Sequence, residues 1–219
     1  MTERTVEDRL REEYFGLLPE MRRVAWQLEA EVRHCIMPMW VKLDQYERLD
    51  TTSRIKDCES AVDKLRRHQE TRAFDRGHPD QYTLLDLKDL VGIRIHVFPG
   101  SRIEEVRLAL CERYPSWTAE PFSGIDGTEE RRALKYVGYC SSSSRVRAEL
   151  QIVSALIGLF WEVEHAAFYK LDPRLKGVSG SLALRERYQD VIDALQAFER
   201  EFEGLIHRAS RAPEVGKKD

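Results

Sequence analysis

Cysteine is scarce in this chain. Four residues in 219, Cys35, Cys58, Cys111 and Cys140, stand far apart with no CxxC pair, which excludes a disulfide framework and a cysteine-based zinc site. Reduced thiols of a cytosolic protein are the reading that remains. Long apolar runs are also missing: no stretch approaches the roughly 20 residues that a membrane span needs. Residues 1–11 are charged throughout and lack the apolar centre of a secretory signal. The expected location is the cytoplasm. Neither sign of charge prevails, with 35 Lys and Arg against 38 Asp and Glu and a net charge of −3. That balance argues against a broad phosphate-binding face but leaves room for a local basic cleft. There is no internal repeat and no low-complexity tract.

What is present reads as a globular protein rich in surface helix, with 42% hydrophobic and 33% charged residues. Residues 5–49 carry a helical pattern: Leu10, Tyr14, Leu17, Leu18, Met21, Val24, Leu28, Val32 and Ile36 recur at three- and four-residue steps. Pro19 and Pro38 are expected to divide this stretch into two or three helices. Arg54-Ile55-Lys56 reads as a short extended piece, and residues 57–70 as a helix. The strongest strand signal is residues 90–98, β-branched and alternating, closed by Pro99-Gly100. A helix over 102–114 follows, then strands at 117–122, 133–139 and 145–153. Loops are expected at 75–80, 124–130 and 172–180. Helices over 155–170 and 182–208 complete the order, and 209–219 reads as a disordered tail. Helices, a small sheet with an interposed helix, then helices again make an α+β arrangement. The expected organisation is one domain over 1–210, with N-terminal helices in 1–50, a catalytic core in 51–170 and a C-terminal helix in 181–208.

Five groups of residues could carry chemistry. Arg54 and Lys56, two apart in an extended segment, point to one side. Lys64 and Arg67 share a helical face. Converging cations of this kind suit a triphosphate, Arg as a planar fork and Lys as a point charge, although such clusters are also ordinary solvated surface. Asp89, at the start of a buried strand, is placed to hold Mg²⁺, since hard cations take carboxylate and phosphate oxygens together. Arg94 sits inside that apolar strand, where an unpaired charge is costly; either it reaches a cleft or it pairs with Asp89 or Asp86. Glu149 and Gln151 share one face of a strand, so Glu149 could join Asp89 on a metal or act as a general base. Plain polar-outward alternation would look the same. Lys135, Gly138 and Tyr139 precede a Ser-rich turn, and the tyrosine offers a flat face for a base, or simply an edge packing position. Glu162, His165 and Tyr169 share a helical side, as metal ligands or as helix packing.

Taken in order, Arg54-Ile55-Lys56, Asp89-Leu90-Val91-Gly92-Ile93-Arg94-Ile95, Lys135 with Gly138-Tyr139, Glu149-Leu150-Gln151, and Glu164-His165 with Tyr169-Lys170 resemble the synthetase domain of the RelA/SpoT family, over residues 53–170. The flanking helices are similar to those of its short, stand-alone members. The resemblance implies a mixed, nucleotidyltransferase-like sheet wrapped by helices. It implies transfer of the β,γ-pyrophosphate of ATP to the 3′-hydroxyl of GDP or GTP, with Mg²⁺, to make the alarmone (p)ppGpp. By position, Arg54, Lys56 and Arg94 would hold the ATP phosphates, with Lys64 and Arg67 beside them. Asp89 and Glu149 would carry the metal. Tyr139 would stack on the acceptor base, Lys135 would meet acceptor phosphates, and Gln151 and His165 would shape the cleft. No hydrolase domain is seen, so a synthetase-only protein is expected.

One segment departs from the pattern. The family reads Gly-Tyr-Arg-Ser-Leu-His where this chain has Gly138-Tyr139-Cys140-Ser141-Ser142-Ser143. That motivates a second reading, the same donor chemistry on an adenine nucleotide or the 3′ end of tRNA. The negative net charge weighs against RNA, unless a basic patch forms near Arg22-Arg23 or Arg131-Arg132. A third reading is an inert nucleotide-binding or partner-binding protein, against which stands the retention of both acids. The terminal helices could serve a homo-oligomer.

Overall fold

The computed structural model describes residues 5–70, 81–120, 133–164 and 187–211 of the chain. Its first element is a long helix, α1 (Val6–Trp40), started by a capping box in which the Thr5 hydroxyl accepts from the Asp8 amide at 3.1 Å and the Asp8 carboxylate accepts from the Thr5 amide. The predicted breaks at Pro19 and Pro38 do not occur. Both prolines lie inside α1 at exposed positions. A proline in a helix interior costs about 3 kcal/mol, while a large apolar side chain fully buried contributes about 1.5–3 kcal/mol. Ten residues of α1, from Leu10 to Met39, are buried in one stripe, and that packing outweighs two prolines.

The helical pattern ends at Trp40, short of residue 49, and β1 (Arg48–Ile55) begins before the extended piece read from the sequence. Leu49 and Thr51 are buried while their neighbours are exposed, a two-residue period that a single leucine is too little to announce. The chain continues through α2 (Cys58–Glu70), β2 (Val91–Phe98), α3 (Ile103–Arg113), β3 (Thr118–Glu120), β4 (Ala133–Tyr139), β5 (Arg147–Ser154), α4 (Ala155–Glu164) and α5 (Tyr188–Arg211). The predicted α+β class is the one observed. The helix expected to reach residue 170 is described to Glu164, and the loops expected at 75–80, 124–130 and 172–180 lie outside the described residues. Helix α5 continues to Arg211, into the tail expected from 209; the rest of that tail is outside the described residues. No described helix is long and apolar enough to cross a membrane.

The sheet has the order β1-β2-β5-β4-β3, with β2 and β5 parallel and the other pairs antiparallel. Partnered residues project to the same side, so the register sorts the side chains into two faces. Val91, Ile93, Ile95 and Val97 of β2 share one face with Ala148, Leu150 and Ile152 of β5, all buried. Helices α1 and α3 pack over this face, α1 on β1 and β2, and α3 on β5. The opposite face carries polar residues. Helix α4 covers part of it: a Cβ added at Gly158 would lie 2.6 Å from the His96 ring and 2.8 Å from Val153. Helix α5 packs on α4, and its Glu199 accepts a hydrogen bond from Ser154 at 2.9 Å. The polar face beside α4 is where the chemistry-bearing side chains gather.

Candidate active site

Three rows run across the polar face. Arg54 of β1 partners Gly92, Gly92 partners Glu149, and Glu149 partners Val137; in the next row Thr52, Arg94, Gln151 and Lys135 stand side by side; beyond them lie Asp50, His96, Val153 and Ala133. Thus Arg54, Arg94, Glu149, Gln151 and Lys135, drawn from four strands, share one side of the sheet. The Arg54 side chain lies across Gly92, where a Cβ would come within 3.4 Å of Nε.

Hydrogen bonds link these residues. Gln151 Oε1 accepts from Arg94 Nε at 2.9 Å, and Gln151 Nε2 donates to Glu149 Oε1. Lys135 Nζ stands 3.3 Å from both Glu149 and Glu120, and Glu120 also meets Lys88 at 2.5 Å. Burial would lower the lysine's pKa, but Glu149 and Glu120 outweigh it and hold Lys135 above its ordinary value. Arg94 does not pair with Asp89 or Asp86, one of the two outcomes read from the sequence. It projects from the polar face, and its ionic partner is Glu162 of α4, 3.5 Å from Nη1. Burial and the nearby charge of Arg54 both lower the Arg94 pKa.

Asp89 has other partners. Its Oδ2 lies 2.7 Å from Lys64 Nζ and 3.1 Å from Lys56 Nζ. Lys56 is brought there by its own amide, which donates to the Leu90 carbonyl at 2.9 Å and extends the pairing of β1 with β2; Lys64 comes from α2. Burial raises the Asp89 pKa, yet the two ammonium groups prevail and hold it below the usual carboxylate value. Arg67 is exposed, with Nε 3.4 Å from the Asp63 carbonyl.

Asp89 and Glu149 therefore belong to separate ion-pair clusters, and no group of three His, Cys, Asp or Glu residues suited to a metal occurs among the described residues. A divalent ion is still compatible with them. Asp89 Oδ1 is buried without a hydrogen-bond partner, a hard oxygen with free lone pairs, and Mg²⁺ commonly takes one or two carboxylates and completes its shell with phosphates and water.

Tyr139, at the end of β4, is 51% exposed. It rims a cavity of about 550 Å³ whose walls include Arg113, Trp117, Ser141, Ser142 and Arg145. None of the cations assigned to the donor from the sequence lines it. Gly138 has a structural reason of its own: the Trp117 ring lies against its backbone, and Trp117 Nε1 donates to the Tyr139 carbonyl at 3.2 Å. His165 lies outside the described residues, as do Tyr169 and Lys170. Glu120 escapes sequence reading because β3 is three residues long and shows no alternation. The contact of Glu162 with Arg94 escapes it too, although an acid in so apolar a helix start as Ala155–Trp161 is a signal worth following.

No family model matches the chain, and no curated protein matches it in sequence. Solved structures do. The chain is similar to the small alarmone synthetase 1 of Bacillus subtilis bound to AMPCPP, with a TM-score of 0.65 and 18% identity over 92% of this chain and 100% of that one. The same synthetase bound to its product pppGpp matches with a TM-score of 0.66 and 19% identity over 90% of this chain and 99% of that one. A GTP pyrophosphokinase family protein from Streptococcus pneumoniae matches with a TM-score of 0.62 and 18% identity over 90% and 96%. At these identities the shared property is the fold.

Proposed function

We propose that this chain, which has the fold of small alarmone synthetases, is a pyrophosphokinase that moves the β,γ-pyrophosphoryl group of ATP to the 3′-hydroxyl of GDP or GTP. The observation that carries the proposal is the register that aligns Arg54, Arg94, Gln151, Glu149 and Lys135 on one face of the sheet. Support comes from the similar synthetase being seen with an ATP analogue and with pppGpp.

In this reading the acceptor 3′-oxygen attacks the β-phosphorus, the bond from that phosphorus to the α,β-bridging oxygen breaks, and AMP leaves. Catalysis of such a transfer is mostly positioning and neutralisation of charge. Arg54 and Arg94 grip the phosphates from one side, with Lys56 and Lys64 reaching them from Asp89 and Arg67 following from α2. Glu149, oriented by Gln151 and Lys135, takes the 3′-hydroxyl proton. Asp89 and Glu149 are the residues that would hold Mg²⁺, which when bound supplies positive charge to the phosphates. Tyr139 stacks on the acceptor base, Lys135 meets the acceptor's phosphates, and His165 supports the cleft.

A specific observation keeps a second acceptor in view. The turn after Tyr139 carries Cys140, Ser141, Ser142 and Ser143, not the Arg and His of the family pattern. An adenine nucleotide or the 3′ end of tRNA is the alternative destination. The test is incubation of the purified protein with γ-labelled ATP, Mg²⁺ and, separately, GDP, GTP, AMP, ATP and bulk tRNA. Label on a guanine nucleotide is the expected result, and label on AMP, ATP or tRNA overturns the guanine assignment. No transfer to any acceptor, with Glu149→Gln indistinguishable from wild type, overturns the enzyme reading in favour of an inert binder.

A further inference from the structure

We infer that Glu162 is a positioning residue that sets affinity for the donor by occupying Arg94 where a phosphate would otherwise bind; the inference rests on the donor half of the function proposed above.

Arg94 has few ways to satisfy its charge. Its side chain is 20% exposed and its Nε is engaged by a neutral amide, that of Gln151. Among the described residues, the carboxylate within 4.0 Å of the guanidinium belongs to Glu162. A half-buried arginine next to a second arginine calls for an anion; Glu149 acts on it from the neighbouring strand, and Glu162 is the carboxylate in direct contact.

The contact is built to be exchanged. A strong guanidinium–carboxylate pair is a two-pronged fork at roughly 2.7–2.9 Å, whereas here one nitrogen meets one oxygen at 3.5 Å. Glu162 is 48% exposed, so it returns to water at little cost. Its place is fixed by helix geometry. Gly158, one turn earlier, lets α4 seat against His96 on the polar face. Four residues on, Glu162 projects to the same side, with Oε1 3.6 Å from His96 Nε2. A phosphate approaching Arg94 therefore meets a carboxylate already there and must displace it or share the cation with it. Removing the negative charge relieves that competition. A half-exposed pair of this kind is worth roughly a two- to fivefold change in affinity.

The test compares wild type with Glu162→Gln by calorimetric titration, using a non-hydrolysable α,β-methylene ATP analogue and, separately, inorganic tripolyphosphate. The expected result is two- to fivefold tighter binding of both probes to the variant. The KM for ATP falls to match, kcat is unchanged, and the gain disappears when Arg94 is also replaced by Ala. Equal or weaker binding to Glu162→Gln overturns the inference, as does a gain that persists without Arg94. Binding of neither probe to either protein overturns both this inference and the donor assignment. Absence of pyrophosphate transfer, with tripolyphosphate still tighter in the variant, removes the catalytic proposal and leaves this one standing. Glu162→Asp, which keeps the charge, is expected to bind like wild type, and tighter binding to it counts against the competition.

Discussion

Substitution of Gly138 by alanine should destabilise the fold through one identifiable collision. Gly138 lies on the core face of β4, and a Cβ there would sit 2.5–2.6 Å from three atoms of the Trp117 ring. Trp117 is buried, as is Ala148 across the strand pair from Gly138, so the ring can yield only toward the cavity it lines. The backbone at Gly138 is one that any residue adopts; the requirement is for room. Overpacking of this type costs about 1–3 kcal/mol, and a shifted ring also gives up the hydrogen bond to the Tyr139 carbonyl, a further loss of about 1 kcal/mol. The total, about 2–4 kcal/mol, corresponds to a fall in Tm of roughly 4–16 °C for a chain of this size. Thermal unfolding followed by circular dichroism and by tryptophan emission measures it. In a Trp117→Ala background the added methyl should cost nothing measurable. A fall below about 2 °C, or an equal penalty with and without Trp117, refutes the reasoning.

Three other outcomes are expected. Asp89→Asn leaves Lys56 and Lys64 facing each other without their carboxylate and should cost about 3 kcal/mol in urea unfolding at neutral pH. Because the folded pKa of Asp89 lies below the ordinary 3.8, its contribution is complete above that value and is lost as pH falls through the lower folded one; the gap between wild type and variant should therefore close in acid, and a constant gap would contradict the clamp. Glu149→Gln should slow pyrophosphate transfer by about 100-fold or more and cost about 1–3 kcal/mol of stability, since one amide oxygen can accept from Lys135 or from Gln151 but not from both. Arg54→Ala, at an exposed position, should leave stability within about 0.5 kcal/mol and raise the KM for ATP roughly tenfold, measured by initial rates.

The sequence made the apolar half of this fold legible. Val91 to Phe98 alternate cleanly, and the predicted strands at 133–139 and 145–153 differ from β4 and β5 by no more than two residues, because β-branched runs bounded by turns have few other uses. Pro19 and Pro38 misled the reading of α1, since local propensity is a weak term beside a buried stripe of ten residues. Residues 48–53 misled it in the other direction. At the site, the identities of Arg54, Asp89, Arg94, Glu149 and Lys135 stand out in the chain, but their grouping does not. Which of them face one another depends on β5 lying between β2 and β4, a fact of topology with no local signal. Asp89 and Glu149 look like a pair in one dimension and sit in different ion clusters in three.

The amide of Gln151 has a consequence of its own. A guanidinium can only donate and a carboxylate can only accept, so an amide bonded to both is fixed in orientation, its oxygen toward Arg94 and its nitrogen toward Glu149. Without it, the cation and the anion, one row apart on adjacent strands, would be free to neutralise each other directly, and in the proposed reaction the arginine would no longer be open to a phosphate nor the glutamate to a proton. Gln151 acts as an insulator: a neutral dipole between two opposite charges that lets each keep its reactivity while fixing the distance between them.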